Sequence, residues 1–186
     1  MNMKKRILTF IISSFTVAAI AQTTSTTTTP KLPIDSVTKK ITYTEVVQQK
    51  GTKDTLYNRA IHWCNIFFKN AQDVTKVRDK ESGKVEGISR FKVYNAPLKD
   101  GTKTDGGIVS FTFTIENKDN KYRYTITKFN MKSISLQPLE KWMNKKDPDY
   151  SPQWDDYLAQ VDKYMQDFTK SLKKGMMEAK KVNDNW

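Results

Sequence analysis

The sequence predicts an α+β fold in the order β-α-β-β-β-β-α, an antiparallel sheet with its helices packed on one face. Three observations carry that prediction. Strict alternation runs through VSFTFTIE, where Val109, Phe111, Phe113 and Ile115 share one side and Ser110, Thr112, Thr114 and Glu116 the other. Near the C-terminus Trp154, Leu158, Val161, Met165, Phe168, Leu172 and Met176 recur at helical spacing as one apolar stripe. The turn-forming stretches DKESGK (Asp79 to Lys84) and NKDNK (Asn117 to Lys121) separate strand-like runs as hairpin turns do.

The chain opens with MNMKKR, an apolar run from Ile7 to Ala21, and then QTTSTTTTPKLP. A basic start, a short apolar run and small residues at Ala19 and Ala21 mark a secretory signal peptide over residues 1–21, cut after Ala21. The run is shorter than the roughly 20 residues a membrane span needs, so no transmembrane segment is expected after cleavage. The mature chain is expected to be exported, periplasmic or extracellular. Residues 22–33, rich in threonine and punctuated by proline, read as a disordered tether, and residues 34–186 as a single α+β domain with a long C-terminal helix. Loss of Lys4, Lys5 and Arg6 with the signal lowers the formal charge from +12 to +9. Such an excess favours anionic partners kinetically without naming one. Cys64 is the only cysteine, so no internal disulfide can staple the fold.

Alternation in ITYTEVVQ predicts a strand over Ile41 to Gln48, and QKGTKD predicts a turn and a helix start capped by Thr52 or Asp54. The helix that follows, YNRAIHWCNIFF, holds the only histidine and the only cysteine, His62 and Cys64. At 100° per residue from Leu56, Cys64 lies at about 80°, inside an apolar stripe centred near 60°, while His62 lies at about 240°. A nucleophile and its base must touch, and these two side chains leave the helix in nearly opposite directions. Cys64 is therefore expected as a small buried hydrophobe and His62 as a solvated surface residue.

Four further strands are predicted, over Asp73 to Arg78, Lys84 to Tyr94, Ile108 to Glu116 and Tyr122 to Met131, with a Gly-rich loop at 95–107. The pattern turns Val85, Phe91, Val93, Tyr122, Tyr124 and Ile126 inward, and Glu86, Arg90, Lys92, Tyr94, Arg123, Thr125 and Thr127 outward. Phe129 breaks the alternation, which predicts a bulge or strand end there. For the last helix, Ser151 reads as the cap, Pro152 as the first helical residue and Asp155 and Asp156 as first-turn acids. Lys170, Lys173, Lys174, Lys180 and Lys181 crowd its far end, and Gly175 argues for packing on a sheet over a coiled coil.

The stretch ITYTEVVQQKGTKDTLYNRAIHW, with LPIDSVTKK before it and the D-x-E-S-G-K turn after it, resembles an uncharacterised family of exported Bacteroidetes proteins with a TATA-binding-protein-like (TBP-like) fold. Leu56 to Trp63 carries most of the likeness, which covers Leu32 to Met131 and leaves out the segment around SPQWDDYL. The resemblance implies the fold and no activity, because its residues are packing and turn residues. It brings nucleic acid into view, since the outward face holds Arg90, Lys92, Tyr94 and Arg123 among hydroxyls. Minor-groove binders also insert apolar wedges, however, and only Tyr94 and Phe129 offer one, so nucleic acid is not an expected partner. Exported proteins of the resembled group carry O-glycans at Asp-Ser/Thr before an apolar residue. That likeness marks Ser36, in Asp35-Ser36-Val37 of the tether, and Thr55, in Asp54-Thr55-Leu56.

No reactive constellation emerges. G-x-S-x-G, H-E-x-x-H and a phosphate-cradling glycine loop do not occur, so no catalytic residue and no cofactor is assigned. DPDYS, from Asp147, begins like a calcium loop, but Pro152 and Leu158 stand where glycine and glutamate are required, so no metal is assigned either. The reading that remains is a non-enzymatic exported module binding a protein or glycan of the cell envelope. Its candidate surfaces are an open sheet face bearing Arg90, Lys92, Tyr94, Thr112 and Arg123, the 95–107 loop, and the 134–153 segment with an exposed Trp142. The alternative is a hydrolase or small-ligand carrier whose site is assembled from distant carboxylates and tyrosines.

Overall fold

The computed structural model describes residues 31–132 and 135–177. The expected signal peptide, residues 22–30 of the expected tether, and Lys180 and Lys181 lie outside the described residues. Six strands, β1 (Tyr43–Gln48), β2 (Thr75–Asp79), β3 (Lys84–Tyr94), β4 (Asp105–Lys118), β5 (Lys121–Lys132) and β6 (Leu136–Pro138), form one antiparallel sheet. Its order is β1-β5-β4-β3-β2, and β6 pairs with the end of β5 that β1 leaves uncovered. Helix α1 (Lys53–Phe67), a one-turn α2 (Ala71–Val74), a 3-10 turn (Leu139–Met143) and α3 (Gln153–Met176) complete the domain.

Alternation decides which face is covered. Val109, Phe111, Phe113 and Ile115 on β4, Val85 and Val93 on β3, and Tyr122, Tyr124 and Ile126 on β5 are buried under α1 and α3. Thr52 caps α1 by accepting the Thr55 N–H at 3.2 Å, and the α1 stripe buries Leu56, Ala60, Trp63 and Cys64. Phe168 of α3 sits where the layers meet, with ring centroids 5.2 Å from Trp63, 5.4 Å from Phe111 and 5.9 Å from Phe113. The expected break at Phe129 is a bulge: the register shifts between Ser110 and Thr112, Lys128 adopts φ 56°, and Phe129 is turned into the core.

Several expectations need correction. The second predicted strand begins at Thr75, because Asp73 takes the Asn70 side-chain amide and one turn of helix forms first. Pro152 is the cap residue of α3 and not its first helical residue, with the Ser151 carbonyl accepting the Trp154 N–H at 2.9 Å. Leu32 is buried, so the fold begins ahead of residue 34, and Ser36 stands in an ordered turn closed by the Ile34–Ile41 bridge. Trp142 is 2% exposed, stacked at 6.0 Å on Trp154, because the 3-10 turn folds Leu139 and Trp142 against α3. Phe129 is fully buried and offers no outward wedge.

Gly175 lies at the crossing of α3 with α1, where a Cβ would fall 2.6 Å from Trp63 Cδ1. Helix propensity alone would make Gly175→Ala stabilising by about 1 kcal/mol. The crossing reverses the sign: urea denaturation should show a net loss of about 1–3 kcal/mol.

Candidate functional site

His62 and Cys64 occupy opposite faces of α1, His62 exposed and Cys64 fully buried. Burial pushes the Cys64 thiol up to about 12, so it is neither a nucleophile nor a ready metal ligand near neutral pH. Among the described residues no group of three His, Cys, Asp or Glu side chains lies close enough to hold a metal ion. In the DPDYS stretch Lys141 Nζ sits 3.7 Å from Asp147 and 2.7 Å from Asp149, so an ammonium stands between the acids that a calcium ion would need.

Among the described residues, no helix packs on the outer face of the sheet. Pairing across β3, β4, β5 and β1 arranges its side chains in rows. One row runs Glu86, Thr114, Thr125, Thr44, and the next runs Ile88, Thr112, Thr127, where Thr127 meets Thr42 hydroxyl to hydroxyl at 3.1 Å. Thr44 meets Thr125 at 3.2 Å. Three Thr-x-Thr segments, 42–44, 112–114 and 125–127, thus form one hydroxyl field, with Thr125 and Thr127 of β5 in its middle and Thr112 on the central strand β4 at its border with Ile88. Its rim is charged and mostly paired. Arg123 grips Glu116 through Nε at 2.9 Å and Nη2 at 2.6 Å, Lys84 meets Glu86 at 2.8 Å, and Lys92 meets Asp105 at 2.6 Å. The last hydrogen bond raises the Lys92 pKa and lowers that of Asp105.

All five residues expected on this face are there, but they do not form one cluster. Thr112 is on the central strand, Arg123 and Lys92 are ion-paired at opposite ends, and Tyr94 lies at the strand end, its backbone held by Gln160. Arg90, opposite Ser110, has no carboxylate partner among the described residues. The apolar Ile88 and Val46 on the same face went unassigned from sequence, although the alternation that exposes Arg90 also exposes Ile88. The 95–107 loop is closed by the Leu98–Thr102 and Asn95–Thr104 backbone bonds and projects Leu98 into solvent.

Distant carboxylates and tyrosines do meet, between α3 and β1. Tyr43 donates to Asp162 at 2.8 Å, Tyr124 donates to Glu45 at 2.7 Å, and Lys173 Nζ closes on Glu45 at 2.6 Å. The Lys173 hydrogen bond lowers the Glu45 pKa, while burial, then the carboxylate contact, raises those of Tyr43 and Tyr124. General acid–base catalysis needs a group poised near neutrality, and the shifts of Glu45, Tyr43 and Tyr124 run away from it. The cluster bolts α3 to the sheet edge.

Of the two hydroxyls marked for glycosylation, Ser36 is exposed beside Val37, which is 85% exposed. Thr55 lies in the first turn of α1, shares a 2.9 Å hydrogen bond with Thr52, and is followed by the fully buried Leu56.

Residues 43–132 match the model of a family described as a domain of unknown function, DUF4468, with TBP-like fold. Over that stretch the chain is similar to the DUF4468 family. Two crystal structures are similar in fold. A DUF4468 family protein from Bacteroides ovatus matches with TM-score 0.64 at 12% identity, over 81% of this chain and 93% of its own. A TBP-like protein from Parabacteroides distasonis matches with TM-score 0.62 at 14% identity, over 80% of this chain and 99% of its own. No curated protein matches the chain. The DUF4468 match spans β1 through β5, so β6, the Trp142 turn and α3 lie beyond the matched residues.

Because the folded thiol titrates higher than the unfolded one, Cys64 contributes stability in full below about pH 8.5, and loses it as pH rises towards the folded value. Unfolding free energy should therefore fall above that pH by up to about 1.4 kcal/mol per unit, and Cys64→Ala should remove that part of the slope.

Proposed function

We propose that the chain is an exported, non-enzymatic module that binds a protein or glycan of the cell envelope through the open face of its sheet. One observation carries this reading: α1 and α3 lie on the same side, so that among the described residues no element lies over the threonine field of β1, β5 and β4. Small-molecule sites are concave, whereas this face is broad and shallow and suits an extended partner. Threonine has few χ1 states, and the Arg123–Glu116 and Lys92–Asp105 pairs steady the rim, so little side-chain entropy remains to be lost on binding. Export rests on the leader over residues 1–21. Among the described residues no helix is long and apolar enough to cross a membrane.

Mature protein used as bait in an envelope extract should capture a specific partner. The variant Arg90→Glu, Lys92→Glu, Arg123→Glu should lose it while keeping its circular dichroism. Undiminished capture by the folded variant rejects the sheet face as the binding surface.

Intact mass of the protein purified from its native host reads processing and modification together. The expected result is the Gln22–Trp186 chain with added glycan mass that disappears in Ser36→Ala. A bare Gln22–Trp186 mass argues against sugar, and a mass that includes residues 1–21 argues against cleavage.

A further inference from the structure

The sheet has an unfilled place on one edge. β2 pairs with β3 only as far as Thr75 opposite Gly87, because the preceding residues turn into α2. From Ile88 to Val93, no strand among the described residues lies beside β3 on the side away from β4. At the far end of this gap, Tyr94 donates its N–H to Gln160 Oε1 at 2.9 Å, and its carbonyl accepts from Gln160 Nε2 at 2.9 Å. The carboxamide of Gln160 thus does for Tyr94 what a peptide unit of a neighbouring strand would do. Because backbone groups alternate along a strand, the N–H and C=O of Lys92, Arg90 and Ile88 point the same way as those of Tyr94. No backbone partner meets these three residues on that side among the described residues.

We infer that this gap accepts an extended peptide segment by strand addition, with an acidic residue of the segment placed opposite Arg90. Six strand residues give a slot of roughly 20 Å, bounded by α2 at one end and Gln160 at the other. The outer rim holds Arg90, which meets no carboxylate among the described residues, next to Lys92, which is already committed to Asp105. The inner wall is apolar: Phe91 lies parallel to Tyr164 with ring centroids 4.0 Å apart, both partly buried. An added strand would therefore read as alternating, with polar or acidic side chains outward and aliphatic ones towards Tyr164. The ordinary role of Arg90 and Lys92 would be to keep the edge from pairing indiscriminately. Charge on an edge that is otherwise free and flanked by a peptide mimic selects a partner by the same physics. The inference rests on the reading of the chain as a binding module and narrows the partner to an extended acidic peptide.

The test uses a capped seven-residue peptide in which valine alternates with threonine around a central glutamate. Titrated into the isotope-labelled protein, it should slow amide hydrogen exchange of Ile88, Arg90 and Lys92 about tenfold or more, and leave Thr112 and Thr125 unchanged. Arg90→Glu should weaken binding about tenfold, and a peptide with a central lysine should restore it on that variant, a swap that a merely unfolded variant would not reward. No protection at these three amides up to about 1 mM peptide overturns the inference, as does failure of the charge swap. Perturbation centred on Thr112, Thr127 and Arg123 instead would reject the edge while keeping the sheet face as the binding surface. A captured envelope partner with silent edge amides would do the same.

Discussion

The domain depends on the packing of α3 across the covered face of the sheet. Phe168 reaches between Trp63 of α1 and Phe111 and Phe113 of β4, and with Trp63 and Phe68, which also meet Phe113, it joins the helix and sheet layers at the centre. With no disulfide available to the single cysteine, this apolar contact has to supply the cohesion that a staple would otherwise add. Gly175 exists within that demand, since its missing side chain lets the α3 backbone approach Trp63. Trp63 in turn donates to Ser171, so even the polar atom of the crossing is used.

Polar groups at the margin of this core serve the same end. Tyr43 with Asp162, and Glu45 with Tyr124 and Lys173, tie the edge strand β1 to α3. Each carboxylate finds a donor and each hydroxyl an acceptor. The residues that would make a hydrolase plausible on paper are consumed by one another. Lys141 between Asp147 and Asp149 repeats the pattern on the opposite end of α3. The other side of the sheet differs in kind: among the described residues it shows an uncovered hydroxyl face, and an edge that β2 leaves half paired.

Much of the fold was legible in the chain. The strand over Lys84 to Tyr94 has the boundaries that alternation gives, the face assignments of β3, β4 and β5 hold, and the break at Phe129 is a bulge. The errors share a cause. Trp142 reads as exposed because its neighbours are polar, and it is buried because a 3-10 turn brings it under Trp154. β6 has three residues, too few for a period to show, and exists because β5 offers it a free edge. Asp73 has strand-like neighbours, yet a local hydrogen bond from Asn70 holds it in one helical turn.

The sequence by itself determined which residues face inward and which face water, because side-chain direction follows from local periodicity of two in a strand and 3.6 in a helix. It also determined that His62 and Cys64 stand apart, a matter of two residues on one helix. Only the tertiary structure decided which outward residues are neighbours. β1 lies beside β5, so Thr42 meets Thr127 across 85 residues of chain, and three separate Thr-x-Thr segments become one field. The open slot along β3 has the same origin: it depends on where β2 stops and on Gln160 arriving from α3, and no local pattern encodes a distance between segments that far apart.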